Sequence, residues 1–346
     1  MELRQLPIPS FFEPKKVKDI WRVPYQERAK EAEEWKERHS IPPAYKDDFR
    51  ICLFLIDLQN TFCIPDFELF VAGRSGRGAV DDCINICEFI YTNLSHITEI
   101  VITMDTHQTV QIFHSIFFKD PEGRHPEPYT IITRDDVIGG RWKIAEECIY
   151  ALGIEKDYGD RFLLHYIERL KEMGKYQLTI WPYHGMLGGI GHALVPSLEE
   201  AIFFHSLCRY SQPLFRMKGN FPLTEFYSAL RAEVTDDHEG KNIAEEDQSL
   251  FEHLLSFDAI IIAGEAKSHC VAWTVEDLLE KLRDRDPSLT RKIYLLEDCA
   301  SPVVIPEVVD YTDQADSAFK RFESMGAHIV KAKDPLNKWL ITQSSP

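Results

Sequence analysis

At 346 residues, with 44% hydrophobic and 27% charged residues, the chain has the size and composition of a globular protein: one large α/β domain with additions, or two smaller domains. Its 39 Lys and Arg against 56 Asp and Glu leave a formal charge of −17, which argues against binding nucleic-acid phosphates as its main role, and no local basic cluster offsets that balance. No stretch approaches the roughly 18 apolar residues of a membrane span, and Met1 to Pro7 lacks a signal-peptide core, so a cytoplasmic protein with neither nucleic-acid nor membrane partners is expected.

Residues 1–48 read as an N-terminal extension broken by Pro7, Pro9, Pro14 and Pro24, with a charged helix over Tyr25 to His39 that packs on the surface or on a partner subunit. Arg50 to Asp57 is the first buried strand. It ends on a carboxylate, at the edge where parallel α/β sheets keep their active sites. Leu58 to Phe62 reads as a turn and Ala79 to Leu94 as an amphipathic helix. The glycines between them meet neither the dinucleotide-binding nor the phosphate-loop pattern.

Ile97 to Met104 is a second strand, followed by Asp105-Thr106-His107 and then His114. Residues two apart in extended chain share a face, so Asp105 and His107 can point at one ligand. Residues 119–176 read as a helical insertion, with a loop and helix before Leu152 and a strongly patterned helix over Asp160 to Met173. Tyr176 to His184 reads as a short strand running into a Pro turn and another His. A helix follows over Leu198 to Leu207. Lys218 then stands before Gly219, with a further helix expected around Thr224 to Arg231 and an exposed acidic loop over Thr235 to Ser249.

Asp258 to Ala263 is an unbroken apolar run, as in a strand buried on both faces. It passes through Gly264-Glu265-Ala266-Lys267-Ser268-His269 into a helix carrying Val271, Trp273, Val275 and Leu278. Cys270 therefore sits at a strand-to-helix junction, where unpaired N–H groups and the helix dipole favour a thiolate. Taken alone, Cys270 also fits a buried structural thiol. The other cysteines, Cys52, Cys63, Cys83, Cys87, Cys148, Cys208 and Cys299, form no Cys-x-x-Cys pair and read as reduced. Lys292 to Leu296, Asp310 to Met325 and His328 to Val330 complete the strand and helix alternation, which predicts a mainly parallel sheet covered on both faces.

Asp57, Lys218 and Cys270 all fall at loop starts on one predicted sheet edge. Together they suffice for amide hydrolysis through a thioester, with Asp57 as base, Lys218 as the stabilising cation and Cys270 as nucleophile. The motifs Ile56-Asp57-Leu58-Gln59-Asn60-Thr61-Phe62, Met104-Asp105-Thr106-His107 with His114-Ser115, Trp181-Pro182-Tyr183-His184, Lys218-Gly219, and Gly264 to Val271 occur in the order found in the isochorismatase-like cysteine hydrolases. Within that superfamily the chain resembles the nicotinamidases most.

The resemblance implies a three-layer α/β/α fold with a mainly parallel central sheet. It places the hydrolase domain at residues 49–335, with the insertion at about 119–176 and a C-terminal tail at 336–346. It implies the triad Asp57, Lys218 and Cys270, and a cis peptide between Glu265 and Ala266 that turns the Ala266 N–H toward the substrate oxygen beside the Cys270 N–H, the two forming an oxyanion hole. It assigns a divalent metal, zinc first and iron or manganese as alternatives, to Asp105, His107 and His184, and substrate contacts to Phe62, Trp181 and His114. A homo-oligomer acting on a small carboxamide is implied, with nicotinamide as the leading substrate. Another small carboxamide, or an idle relative that only binds a small ligand, remains open. The chain departs from the pattern at Gly185, where nicotinamidases commonly have Cys, and at Glu265 and Lys267, which are expected to add charge near the pocket mouth.

Overall fold

The computed structural model describes residues 4–340; Met1 to Leu3 of the extension and residues 341–346 of the expected tail lie outside the described residues. Six strands build the central sheet: β1 (Ile51–Ile56), β2 (Glu99–Asp105), β3 (Leu214–Lys218), β4 (Ala259–Gly264), β5 (Ile293–Leu296) and β6 (His328–Val330). Their order is β6-β5-β4-β1-β2-β3, and every pairing is parallel. β1 and β4 are fully buried along their lengths, because both faces of a parallel sheet are covered by crossover helices.

The larger helices are α1 (Tyr25–His39), α2 (Gly78–Thr92), α3 (Lys156–Glu172), α4 (Pro196–Arg209), α5 (Gln248–Leu255), α6 (Ala272–Arg285) and α7 (Thr312–Ser324). The crossover through α2 carries the chain from β1 outward to β2, whereas that through α6 carries it from β4 outward to β5 in the opposite direction. Right-handed crossovers running opposite ways put α2 and α6 on opposite faces, which makes three layers. They also make the β1/β4 boundary the point where the winding reverses, and loops leaving the carboxyl ends of the strands there form a crevice. Asp57 follows β1 and Cys270 follows β4.

The N-terminal extension is docked against the domain. Helix α1 packs on α4, and α4 on α2. Arg28 of α1 reaches the buried Glu200 of α4 at 2.6 Å, and the fully buried Arg209 binds Asp47 at 2.6 Å. Each of these buried charges thus has a partner, without which it would be strongly destabilising.

Several segments differ from the sequence-based expectations. Tyr176 to His184 is not a strand of the sheet; it makes only isolated bridges, Ile131 to Thr179 and His114 to Trp181, because β3 occupies the place beside β2. Lys218 ends that edge strand and does not lie in a loop. Leu58 to Phe62 tightens into a helical turn over Asn60–Cys63. Residues 224–231 form no helix, since their backbone finds distant partners: Ala229 N–H donates to Thr274 Oγ1 at 3.0 Å and Glu225 C=O accepts from Glu233 N–H at 2.8 Å. The acidic loop is not wholly exposed. Asp237 is buried, and its Oδ1 accepts the N–H groups of Glu239 and Lys241. The end of that loop is also helical, because Asp247 caps α5 by accepting from Leu250 N–H at 2.9 Å. The insertion holds α3, two short helices, Arg134–Ile138 and Glu146–Leu152, and a two-residue antiparallel pairing of Phe118–Lys119 with Lys143–Ile144.

Candidate active site

The parallel register sets Lys218 beside Asp105 and Gly264 beside Ile56, so four strand ends deliver their loops to one crevice. Asp57 has no solvent exposure and adopts a left-handed φ of 50°. Its Oδ1 accepts from Thr103 Oγ1 at 2.6 Å, and its Oδ2 lies 2.9 Å from Lys218 Nζ. That ammonium also donates to Asp105 Oδ1 at 2.9 Å and to the Phe226 carbonyl at 2.8 Å. Cys270 Sγ is 3.6 Å from the same nitrogen, and the charge of Asp57 acts on its thiol. The structure therefore brings Asp57, Lys218 and Cys270 together, with Lys218 at the centre.

Burial and charge oppose one another here. Burial pushes the Cys270 thiol well above its ordinary range while the Lys218 ammonium works against it. Asp57 is likewise raised by burial and pulled back by Lys218. Burial disfavours the charge on Lys218 itself, but Asp105 and then Asp57 outweigh it and hold the proton on that amine. A buried cation facing two carboxylates and a thiol is thus kept charged by its neighbours.

Asp105, His107 and His184 converge on one point, each offering a ligand atom within 4.8 Å of the others. Asp105 Oδ2 lies 2.9 Å from His107 Nε2 and 3.6 Å from His184 Nε2. The opposite ring nitrogens are tied to backbone carbonyls, His107 Nδ1 to Gly219 at 3.1 Å and His184 Nδ1 to Pro182 at 2.7 Å. Such anchoring places the ring hydrogen on Nδ1 and presents both Nε2 lone pairs as metal ligands. One carboxylate and two imidazoles, buried and oriented, fit a divalent transition metal with positions left for other ligands. A Cβ on Gly219 would fall 2.8 Å from Asp105 Oδ1 and 2.9 Å from His107 Cε1, so glycine is required beside this cluster. Gly185, with φ of 55°, would set a Cβ 2.8 Å from the Asp105 carbonyl, and the local backbone accounts for its presence.

Strand β4 runs through the cis peptide bond Glu265–Ala266 into a π-type turn, Lys267–Val271, and then α6. Ala266 and Cys270 both line a mainly apolar pocket, whose walls include Phe62, Trp181 and Val303. His114 does not line it. Its ring lies tilted against Tyr183 and edge-on to His107 and His184, on the side of the metal donors and not among the pocket walls. Glu265 adds no charge near the mouth: it is fully buried, its Oε2 accepts the Ser301 N–H at 3.3 Å, and the Asp82 carboxylate of α2 helps to raise its carboxyl. Lys267 is turned outward to Asp316 at 2.6 Å.

Three participants escaped the sequence reading. Gln59 grips Asp105 from both sides, Oε1 accepting its N–H at 2.7 Å and Nε2 donating to its carbonyl at 2.9 Å. Glu225 and Tyr227 line the pocket, and burial pushes the Glu225 carboxyl up to about 8. A polar residue two positions beyond a strand-terminal acid was a signal for Gln59. Glu225 stands among apolar neighbours on an irregular segment and had none.

No protein-family model and no curated protein matches the sequence. Among solved structures, the yeast nicotinamidase bound to the inhibitor nicotinaldehyde aligns with a TM-score of 0.50 at 17% identity, covering 81% of this chain and 99% of that one. The nicotinamidase pyrazinamidase of Acinetobacter baumanii aligns with a TM-score of 0.49 at 18% identity, covering 84% of this chain and 99% of its own. The pyrazinamidase of Pyrococcus horikoshii in complex with zinc aligns at 0.44 and 18% identity, over 82% and 99% of the two chains. With its six parallel strands between two helical layers, the chain has the isochorismatase-like α/β/α fold that it shares with the yeast nicotinamidase.

Proposed function

We propose that the protein is a metal-containing cysteine amidase that hydrolyses nicotinamide to nicotinate and ammonia through a thioester on Cys270. The observation that carries this reading is the placement of one buried ammonium, Lys218, 2.9 Å from Asp57 and 3.6 Å from Cys270 Sγ. In the free site the thiol holds its proton, and Asp57 is the neighbour able to take it as the sulfur attacks the carboxamide carbon. Lys218 stays charged and offsets the negative charge that then moves between sulfur, carboxylate and substrate oxygen. The backbone N–H groups of Ala266 and Cys270 are the donors offered to that oxygen. Asp57 returns its proton to the departing ammonia and then activates the water that clears the acyl group.

Asp105, His107 and His184 would hold the metal, which supplies a Lewis-acid contact for orienting a ring nitrogen or a water. Phe62 and Trp181 supply the flat apolar walls for a planar ring. The likeness in fold to nicotinamidases supports the reading without fixing the substrate. Replacing Cys270 with Ala should abolish ammonia release from nicotinamide, by at least a thousandfold, while leaving the circular dichroism spectrum and unfolding midpoint close to those of the parent. Ammonia release persisting in that variant would refute the thioester mechanism.

A further inference from the structure

Once the reacting groups and the metal donors have been assigned, one nitrogen beside the pocket remains without a task. His269 precedes the nucleophile, lines the pocket and is only 4% exposed. Its Nδ1 lies 2.8 Å from Ser268 Oγ, and the same Oγ accepts the Val303 N–H at 3.0 Å. A serine hydroxyl carries one hydrogen, and among the described residues the acceptor within its reach is His269 Nδ1. Nδ1 therefore accepts, and in the neutral ring the hydrogen resides on Nε2. Burial holds the ring neutral, pushing its pKa down to about 3.

That Nε2–H is buried and has no hydrogen-bond partner among the described residues. The rings around it leave little to meet it: Tyr227 OH is engaged by Trp181 Nε1 at 3.0 Å, and Tyr176 OH donates to the Ser268 carbonyl at 2.9 Å. A buried donor with no acceptor costs about 1–3 kcal/mol, and its position beside a ligand pocket gives that donor a use.

We infer that His269 is a specificity-determining residue whose Nε2–H donates to the substrate, and that the preferred substrate is a planar carboxamide bearing a hydrogen-bond acceptor on its ring edge beyond the one that nicotinamide offers to the metal site. The inference rests on the amidase reading above and narrows it. A ring nitrogen, a hydroxyl or an oxo group provides the acceptor; a bare pyridine ring leaves His269 unpaired.

The test compares nicotinamide with pyrazinamide and with nicotinamides carrying one hydroxyl or oxo group at each free ring position. Ammonia release gives kcat/KM, and binding to a Cys270→Ala background gives Kd. For the parent, at least one acceptor-bearing amide should exceed nicotinamide by about tenfold in both, the worth of one buried neutral hydrogen bond. In His269→Phe that ratio should fall to near one, and in His269→Gln, which keeps an N–H donor, part of it should return. Ammonia release with no such preference, or a preference that survives in His269→Phe, overturns the role of His269 and leaves the amidase reading standing. No ammonia from any carboxamide, with the Kd preference intact, overturns the amidase reading and leaves His269 as a recognition residue.

Discussion

Lys218 offers the sharpest energetic test of the site, because a single buried cation holds two carboxylates. Each stands 2.9 Å from the ammonium, a separation worth about 6 kcal/mol of attraction at an effective dielectric of about 20. Desolvation of three charges offsets much of that, and removing the cation alone leaves Asp57 and Asp105 as neighbouring buried anions. The net cost expected for Lys218→Met is about 3–5 kcal/mol. The assay is urea unfolding followed by tryptophan fluorescence, with the metal content of all variants matched. A control at the exposed Lys241, as Lys241→Met, should stay within about 0.5 kcal/mol of the parent. Asp57→Asn combined with Lys218→Met should cost less than the sum of the two single changes by at least about 1 kcal/mol, since the double variant has one anion fewer to bury. A Lys218→Met protein as stable as the Lys241→Met control, or strict additivity in the double variant, would refute the electrostatic account of the site.

Two further perturbations probe the neighbouring layers. Burial pushes the Asp82 carboxyl up to about 6 from its ordinary 3.8, so the folded chain holds that proton more tightly than the unfolded one. Its stability contribution is greatest below about pH 4 and falls by up to about 3 kcal/mol as pH rises through about 6. Asp82→Asn should therefore flatten the urea midpoint across that window and raise it at pH 8, and a profile parallel to the parent's would contradict the rise that burial imposes on the Asp82 carboxyl. At the metal cluster, His184→Ala should lower zinc affinity at least tenfold by isothermal titration while its unfolding midpoint in chelator stays near the parent's. Asp105→Ala should lower both, because it also strips Lys218 of a partner; equal midpoints for the two variants in chelator would show that the Asp105 contact to Lys218 carries no stability.

The buried strands were legible because burial on both faces leaves an unmistakable apolar run, as in Ile51 to Ile56 and Ala259 to Gly264. The edge strand Leu214–Lys218 was not: its exposed Phe215 and Met217 and its charged Arg216 match neither a buried run nor a half-buried alternation. Residues 224–231 carry helix-compatible spacing, yet Thr274, Glu233 and Lys218 capture the backbone groups of Ala229, Glu225 and Phe226, and no local pattern records that. At the site, Asp57, Asp105 and Cys270 were legible because each ends or follows a buried apolar strand, whereas Lys218 was singled out only by its place before Gly219 and by the order of the motifs. The motifs assigned His184 to the metal and His114 to the substrate, and in the fold the His184 ring faces Asp105 at 3.6 Å while the His114 ring lies edge-on to it. Glu265 was misread for a related reason: the residue after a strand-ending glycine can face either the mouth or α2, and Asp82 decides the matter from another element.

Asp105 ties these observations together. Its Oδ1 serves Lys218, and its Oδ2 faces His107 and His184, so one carboxylate is shared by the nucleophile's cation and the metal donors. Burial works against its charge, but His107 and Lys218 outweigh that and hold the carboxyl well below its usual range. Gln59 clamps its backbone on both sides, and Gln59 lies two residues beyond Asp57 on the neighbouring strand's loop. The spacing of Asp57, Asp105, Lys218 and Cys270 is therefore set by the pairing of β4 with β1, of β1 with β2 and of β2 with β3, while His107 and His184 are carried by the connection from β2 to β3. The N-terminal extension precedes β1, and the insertion leaves the β2-to-β3 connection after His114 and returns before Trp181, so Asp57, Asp105, Lys218 and Cys270 keep their places at the strand ends.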